Sequence, residues 1–341
     1  VGMPTETVYG LAANALDAAA VRRIFDAKGR PSDNPLIVHV SSIGMLEQIG
    51  IFARLELPLA VRRIIHHGWP GPLTLLLPRH PRLPTAVTCG RATVGVRFPA
   101  HPMARAMIAH AQLPLAAPSA NTSGRPSPTR AEHVFTDLHG RIPLILDAGA
   151  CAVGVESTVL DCTRRPPAIL RPGGVTDAEV RAWGGAALAA LQVYQRDFSD
   201  AQLEAAPTTP GMKYRHYSPT APVILFECAA GTRQQMRQHV LAKAMDLYRQ
   251  HTVDQHPIIG LLSVDDDGDD ARRMATEYPF VRQYSLGAST RPDQVAHRLF
   301  DGLRTLDALP HVQWILVEGI PDEGQGIAVM NRLRKAAATI V

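Results

Sequence analysis

At 341 residues, 46% apolar and 19% charged, the chain has the composition of a soluble globular protein and the length of about two domains. Only 5% is aromatic, too little for a surface of stacking platforms for single-stranded nucleic acid, and the net charge of +4 permits a phosphate-bearing partner without requiring one. Cys89, Cys151, Cys162 and Cys228 show neither C-x-x-C spacing nor a paired histidine cluster, which argues against structural zinc or a disulfide framework and fits a reducing cytoplasm; no run of about 18 apolar residues marks a membrane span.

The chain opens in "VGMPTETVYGL", which reads as the end of a buried strand. A strand needs partners, so the expectation is that an N-terminal piece precedes this sequence. "LDAAAVRRIFDAKG" predicts a helix, with Asp17 as N-cap, a stripe of Val21, Ile24 and Phe25, and Gly29 as the stop. The connection that follows, "KGRPSDNP", is over-furnished for a plain turn, with Lys28, Arg30, Ser32, Asp33 and Asn34, and with Pro31 and Pro35 stiffening it. "PLIVHV", "LTLLL" and "TVGVRF" read as strands, with a helix over "LPLAVRRIIHHG" between the first two. "HPMARAMIAHA" reads as helix and "PLAAP" as strand. "PTRAEHVFTDLHG" predicts a helix with a capping box from Thr129 to Glu132, and "TDAEVRAWGG" repeats the box with Thr176 and Glu179. "IPLILDAG", "ESTVLDC" and "AILRPG" read as strands. The mixture of long and short connections predicts a twisted, mixed α/β sheet rather than a strict βαβ series.

Beyond residue 194 the periodicity lapses, and 195–220 reads as a linker rich in Pro, Ala and Thr. A second α/β unit over 221–341 follows, with strands at "PVILFE", "PIIGLLSV" and "WILVEGI". Its helices are expected over "RQQMRQHVLAKAMDLYRQH", "RPDQVAHRLFDGLRTLDAL" and "IAVMNRLRKAA". That alternation predicts a smaller Rossmann-like domain. The acidic run 265–270 reads as a solvated loop, and "EGQGIAV" as a tight strand-to-helix turn rather than a dinucleotide fingerprint.

No P-loop, G-x-S-x-G or H-E-x-x-H sequence occurs, so the standard apparatus of P-loop, serine-hydrolase and zincin chemistry is missing. What recurs is small hydroxyl and amide groups beside cations at strand ends. Thr5 and Thr7 lie in "PTETVYG", and Thr93 and Arg97 share one face of "TVGVR". "APSANTSGRPSPT" offers Ser119, Asn121, Ser123, Arg125 and Ser127, "VEST" offers Ser157 and Thr158, and "LRPGG" offers Arg171. Singly, such groups usually satisfy local backbone; together they describe a site that binds charged oxygens without a side-chain nucleophile. That suits phosphoryl or nucleotidyl transfer, where positioning and charge neutralisation carry the catalysis.

The stretches "PTETVYGL", "AKGRPSDNPLIVHV", "WPGPLTLLL", "VGVRFPAHP", "GVEST", "LRPG" and "PGMKYRHYSP", in that order, resemble the threonylcarbamoyl-AMP synthase family in its long, two-domain form. The resemblance implies a YrdC-type catalytic domain over 1–194, a linker over 195–220 and a C-terminal Rossmann-like domain over 221–341. It also implies family members that begin earlier, with a helix and a strand ahead of "PTETVYG". The implied reaction turns L-threonine, bicarbonate and ATP into threonylcarbamoyl-AMP and pyrophosphate, with Mg2+ held mainly by the phosphates. A downstream transferase complex would then modify position 37 of tRNA.

Carried over residue by residue, the resemblance implies ATP contacts at Lys28, Arg30, Asn34, Thr93, Ser119, Ser127, Arg171, Tyr214 and His216. It implies L-threonine contacts at Thr5, His39, Arg97, Ala117 (through backbone) and Ser157. Arg97 would clamp the threonine carboxylate with its planar fork, and Tyr214, His216 and Tyr217 would fold over the nucleotide as a lid. The alternative is a binding module for double-stranded RNA or tRNA. Carbamoyl transfer as in hydrogenase maturation proteins ranks last, because their zinc-finger cysteines are missing.

Overall fold

The computed structural model describes residues 1–48, 57–205, 207–209, 216–227, 232–250, 257–264 and 276–341. Two compact units emerge, one from residues 1–123 and 127–213, the other from 124–126 and 214–341. The acidic run 265–270 lies outside the described residues.

In the first unit, β1 (Gly2–Met3) and β2 (Gly10–Leu11) form a short antiparallel hairpin. Eight further strands make one mixed sheet: β3 (Ala13–Asn14), β4 (Ile37–His39), β5 (Leu73–Pro78), β6 (Thr93–Arg97), β7 (Leu115–Ala116), β8 (Thr158–Asp161), β9 (Ala168–Arg171) and β10 (Gln192–Val193). Their order is β10-β9-β8-β5-β6-β4-β7-β3, with parallel and antiparallel pairings interspersed, as the uneven connections predicted. β5 is buried over five of its six residues, the signature of a strand covered on both faces.

Helix α1 (Ala18–Lys28) begins and ends where its chemistry requires. Asp17 accepts hydrogen bonds from the N–H groups of Ala19 and Ala20, and Gly29 closes the helix in the left-handed region at φ 59°. α2 (Ile43–Gln48), α3 (Leu59–Gly68), α4 (Thr85–Thr88) and α5 (Pro102–Ala111) follow, then α6 (Ala131–Leu138), α7 (Asp177–Gly184) and α8 (Ala201–Ala205). α7 carries the expected capping box between Thr176 and Glu179. α6 does not: its N-cap is Arg130, without a side-chain cap, and the Thr129 N–H donates to His133 Nδ1 at 3.2 Å instead. The strand expected over "IPLILDAG" reduces to a bridge between Ile145 and Gly2, since pairing needs a neighbouring strand edge and this segment meets the sheet at Gly2, with Leu144 left half-exposed.

The second unit is a parallel five-stranded sheet in the order β13-β12-β14-β11-β15. The strands are β11 (Val223–Phe226), β12 (Ile258–Ser263), β13 (Val281–Ser285), β14 (Val312–Glu318) and β15 (Ala337–Ile340). Helices α9 (Arg233–Arg249), α10 (Pro292–Asp307) and α11 (Gly326–Ala336) complete it, which is the Rossmann-like pattern expected. Gly302 lets α10 approach the sheet: a Cβ there would lie 2.7 Å from a Leu262 methyl and 2.8 Å from the Tyr284 ring. "EGQGIAV" is a strand-to-helix turn, with Gly324 at φ 53° and the Gly326 N–H bonded to the Glu323 carbonyl at 2.8 Å.

Candidate active site

Lys28 and Arg30 leave α1 on the loop that the sequence made conspicuous, and both are buried. Lys28 Nζ donates to the carbonyls of Ser119 (2.5 Å) and Asn121, and the Ser123 N–H returns a bond to the Lys28 carbonyl at 2.9 Å. Arg30 donates to the carbonyls of Asn34 and Pro35, each at 3.2 Å. Carbonyl oxygens here take the place of water around a buried cation. The 28–35 loop and the 119–123 loop are thereby tied into one piece. Asn34 Oδ1 is buried and has no hydrogen-bond donor among the described residues. An orphaned acceptor of this kind costs stability unless a ligand supplies the donor.

Strand register assembles the second cluster. β4 runs parallel to β6 with His39 opposite Arg97, and β5 runs antiparallel to β6 with Thr74 opposite Arg97, so the three stand in a row. Thr74 Oγ1 shares a hydrogen bond with Ser157 Oγ at 2.8 Å. Arg171, at the end of β9, holds the other side of Ser157, with Nη2 3.1 Å from Oγ and 2.9 Å from the carbonyl. Arg97 forms an ion pair with Glu6 at 2.6 Å and donates to Thr7 Oγ1 (2.8 Å) and to the Gly71 carbonyl (3.3 Å). Thr7 Oγ1 in turn lies 2.9 Å from Thr5 Oγ1, whose own proton goes to the Val8 carbonyl at 2.6 Å.

The electrostatics follow from burial and from Arg97. Burial alone would raise the Glu6 carboxyl, but the Arg97 charge, its hydrogen bond and nearby backbone N–H groups hold it below the usual carboxylate range. Burial, reinforced by Arg97, pushes His39 down to about 3, so its ring is neutral near pH 7. Burial also pushes the Cys151 thiol up to about 12, which removes it as a nucleophile.

The remaining expected residues are more dispersed. Ser127 is fully buried and donates to Glu156 Oε1 at 2.6 Å. Thr93 is half-buried at the start of β6, at the end of the strand away from Arg97. The Ala117 N–H is taken by the Ile37 carbonyl at 2.9 Å, which leaves its carbonyl as the backbone group able to meet a ligand. His216 belongs to the second unit, where its N–H donates to the Lys335 carbonyl and its ring meets Tyr217 edge-on, with centroids 4.2 Å apart. Tyr214 lies outside the described residues. Arg125, one of the groups offered by "APSANTSGRPSPT", pairs with Asp307 at 2.8 Å within the second unit.

Sequence reasoning did not place Glu6, Glu156 or Thr74 in the site. Glu6 left one signal, an acidic residue between two threonines in a run otherwise fit for burial. Thr74 left none, since a hydroxyl inside "LTLLL" reads as an ordinary strand residue.

Comparison with known proteins identifies the family. A family model described as "Telomere recombination" matches residues 1–173, and one described as "Threonylcarbamoyl-AMP synthase, C-terminal domain" matches 175–338. The threonylcarbamoyl-AMP synthase of Schizosaccharomyces pombe is 42% identical, over 100% of this chain and 85% of its own length. That of Pyrococcus abyssi is 43% identical, over 99% of this chain and 90% of its own. The crystal structure of the P. abyssi protein complexed with L-threonine superposes with a TM-score of 0.81 at 40% identity, covering 100% of this chain and 92% of that one. The chain therefore belongs to the threonylcarbamoyl-AMP synthase family, in its two-domain form.

Proposed function

We propose that the first unit makes threonylcarbamoyl-AMP from L-threonine, bicarbonate and ATP. The observation that carries the reading is the row His39, Arg97 and Thr74, which sets a buried guanidinium beside the Ser157–Arg171 pair. Cys151 and His39, with their displaced titrations, supply neither a thiolate nor an imidazolium there at neutral pH.

In this reading Arg97 takes the amino-acid carboxylate, and Thr5, His39, Ser157 and the Ala117 carbonyl surround the rest of the substrate. The substrate amine and bicarbonate give a carbamate with loss of water. A carbamate oxygen then forms a bond to the α-phosphorus of ATP as the bond to pyrophosphate breaks. The chain's part is to hold two anions together, neutralise them and exclude water. Lys28, Arg30, Asn34, Thr93, Ser119, Ser127 and Arg171 form the nucleotide side, with Asn34 Oδ1 meeting a nucleotide N–H or hydroxyl. His216 and Tyr214 are assigned to ATP on the family resemblance alone. Mg2+ would arrive with the triphosphate and be held by its oxygens. Among the described residues no group of three His, Cys, Asp or Glu side chains gathers to hold a metal. This is the work of a cytoplasmic nucleotidyltransferase whose product goes to a separate enzyme that modifies tRNA.

The test is pyrophosphate release measured with each substrate omitted in turn. Release that needs threonine, bicarbonate and ATP together is the expected result; threonine-independent turnover would overturn the assignment.

A further inference from the structure

We propose that Glu6, through its ion pair with Arg97, makes the amino-acid subsite selective for a zwitterion over a simple anion. The inference rests on the reading that Arg97 receives the substrate carboxylate. Glu6 then becomes the group that receives the substrate ammonium before carbamate formation.

A buried guanidinium by itself is a general anion site. Bicarbonate, phosphate and the triphosphate of ATP would all compete for it, and this enzyme works among all three. The structure does not present Arg97 by itself. Glu6 lies 2.6 Å from Nη2, and both side chains are nearly closed to solvent. Among the described residues, the neighbours that touch the pair through their side chains carry no charge at neutral pH. Thr5 and Thr7 are hydroxyls, burial keeps Cys151 a thiol, and burial with Arg97 keeps His39 neutral. The pair is therefore locally neutral, a dipole of one cation and one anion in direct contact.

An incoming anion gains from Arg97 and is repelled by Glu6, so the two contributions largely cancel. A zwitterion lying antiparallel on the pair is attracted at both ends, because an α-amino acid carries its ammonium one carbon from its carboxylate. Arg97 can still serve it. Of the five guanidinium N–H groups, the Gly71 carbonyl, Thr7 Oγ1 and Glu6 engage three, which leaves one on each Nη among the described residues. Glu6 Oε2 accepts the His101 N–H at 3.4 Å, and a carboxylate oxygen has a second lone pair with which to receive the ammonium. The ammonium must lose its proton before the carbamate forms. A carboxylate held firmly ionised is an acceptor that positions the amine and is a weak base, so Glu6 is a specificity-determining residue and not the general base.

The experiment is calorimetric titration of the full chain with L-threonine and with 3-hydroxybutanoate, which keeps the carboxylate and hydroxyl and lacks the amine. The wild type should bind threonine at least about 100-fold more tightly. Glu6→Gln should weaken threonine by about 10-fold or more and leave 3-hydroxybutanoate unchanged or tighter, so that the ratio collapses. Glu6→Asp should retain most of the preference. An unchanged ratio in Glu6→Gln overturns the proposal, because a purely structural glutamate would weaken both ligands together. Should Glu6→Gln fail to fold, the wild-type ratio decides with Glu6→Asp: equal binding of the two ligands overturns the proposal, and a large ratio retained in Glu6→Asp supports it. A wild type that binds no threonine defeats the reading of Arg97 itself, which is a separate outcome.

Discussion

Replacing Arg97 by alanine should harm the fold before it harms the chemistry. The Arg97 and Glu6 side chains are only 5% and 11% exposed, so the substitution strands a carboxylate in a nearly closed interior. Breaking a buried pair by removing one partner costs roughly 3–5 kcal/mol. The Gly71 carbonyl and Thr7 hydroxyl lose a donor as well, each worth about 1 kcal/mol when some relaxation is allowed. At roughly 2–4 °C per kcal/mol for a unit of this size, the first unit should melt roughly 10–30 °C lower. The double variant Arg97→Met with Glu6→Gln keeps volume and removes both charges, so it should recover much of the loss. The assay is a double-mutant cycle of Arg97→Met, Glu6→Gln and their combination by urea denaturation, with Arg97→Ala measured beside it and threonine and nucleotide affinities taken on each folded variant. Threonine binding should fall by a further ~1.5–3 kcal/mol in the Arg97→Ala protein, as for a charged hydrogen bond, with nucleotide affinity spared. Additive single effects, with no coupling between positions 6 and 97, would refute the reasoning.

His39 gives a pH prediction with a definite sign. Its folded value near 3 lies below the unfolded value of about 6.5, so the unfolded chain binds the extra proton first. The stability it contributes is present above about pH 6.5 and is lost as pH falls towards 3, on the order of a few kcal/mol; His39→Gln should flatten the slope measured by urea unfolding across that range. Gly173 packs against the "VEST" backbone so closely that a Cβ would lie 2.3 Å from the Glu156 carbonyl oxygen. Gly173→Ala should therefore displace Ser157 and Arg171, lowering both melting temperature and turnover, and a wild-type melting profile would contradict this. Removing the α7 capping box with Thr176→Ala should cost about 1 kcal/mol in denaturation while leaving turnover unchanged.

How legible the molecule was in its sequence depended on the range of the interactions. Asp17, Gly29 and the Thr176–Glu179 box act within one helical turn, and each could be read from spacing alone. Thr129 and Glu132 have the same spacing, but His133 captures the Thr129 N–H, a competition that the motif does not display. "IPLILDAG" has the composition of a strand, yet pairing depends on which neighbours the sheet offers, and here it finds Gly2 alone. The site divides along the same line. Arg97 and Ser157 were recognisable from motifs resembling a known family. Their immediate partners Glu6 and Thr74 come from distant parts of the chain and are joined to them only by strand register and burial. The cations of "KGRPSDNP" were legible as unusual, whereas their hold on the carbonyls of residues 119 and 121 required the fold.

The central claim is that a carbamate oxygen attacks the α-phosphorus of ATP in a site without an enzyme nucleophile. Incubation with 18O-labelled bicarbonate, followed by mass spectrometry of the products, tests it most directly. The account predicts a threonylcarbamoyl adenylate that carries 18O between carbon and phosphorus, together with unlabelled pyrophosphate. Formation of ADP with labelled inorganic phosphate would place the attack at the γ-phosphorus and contradict the account.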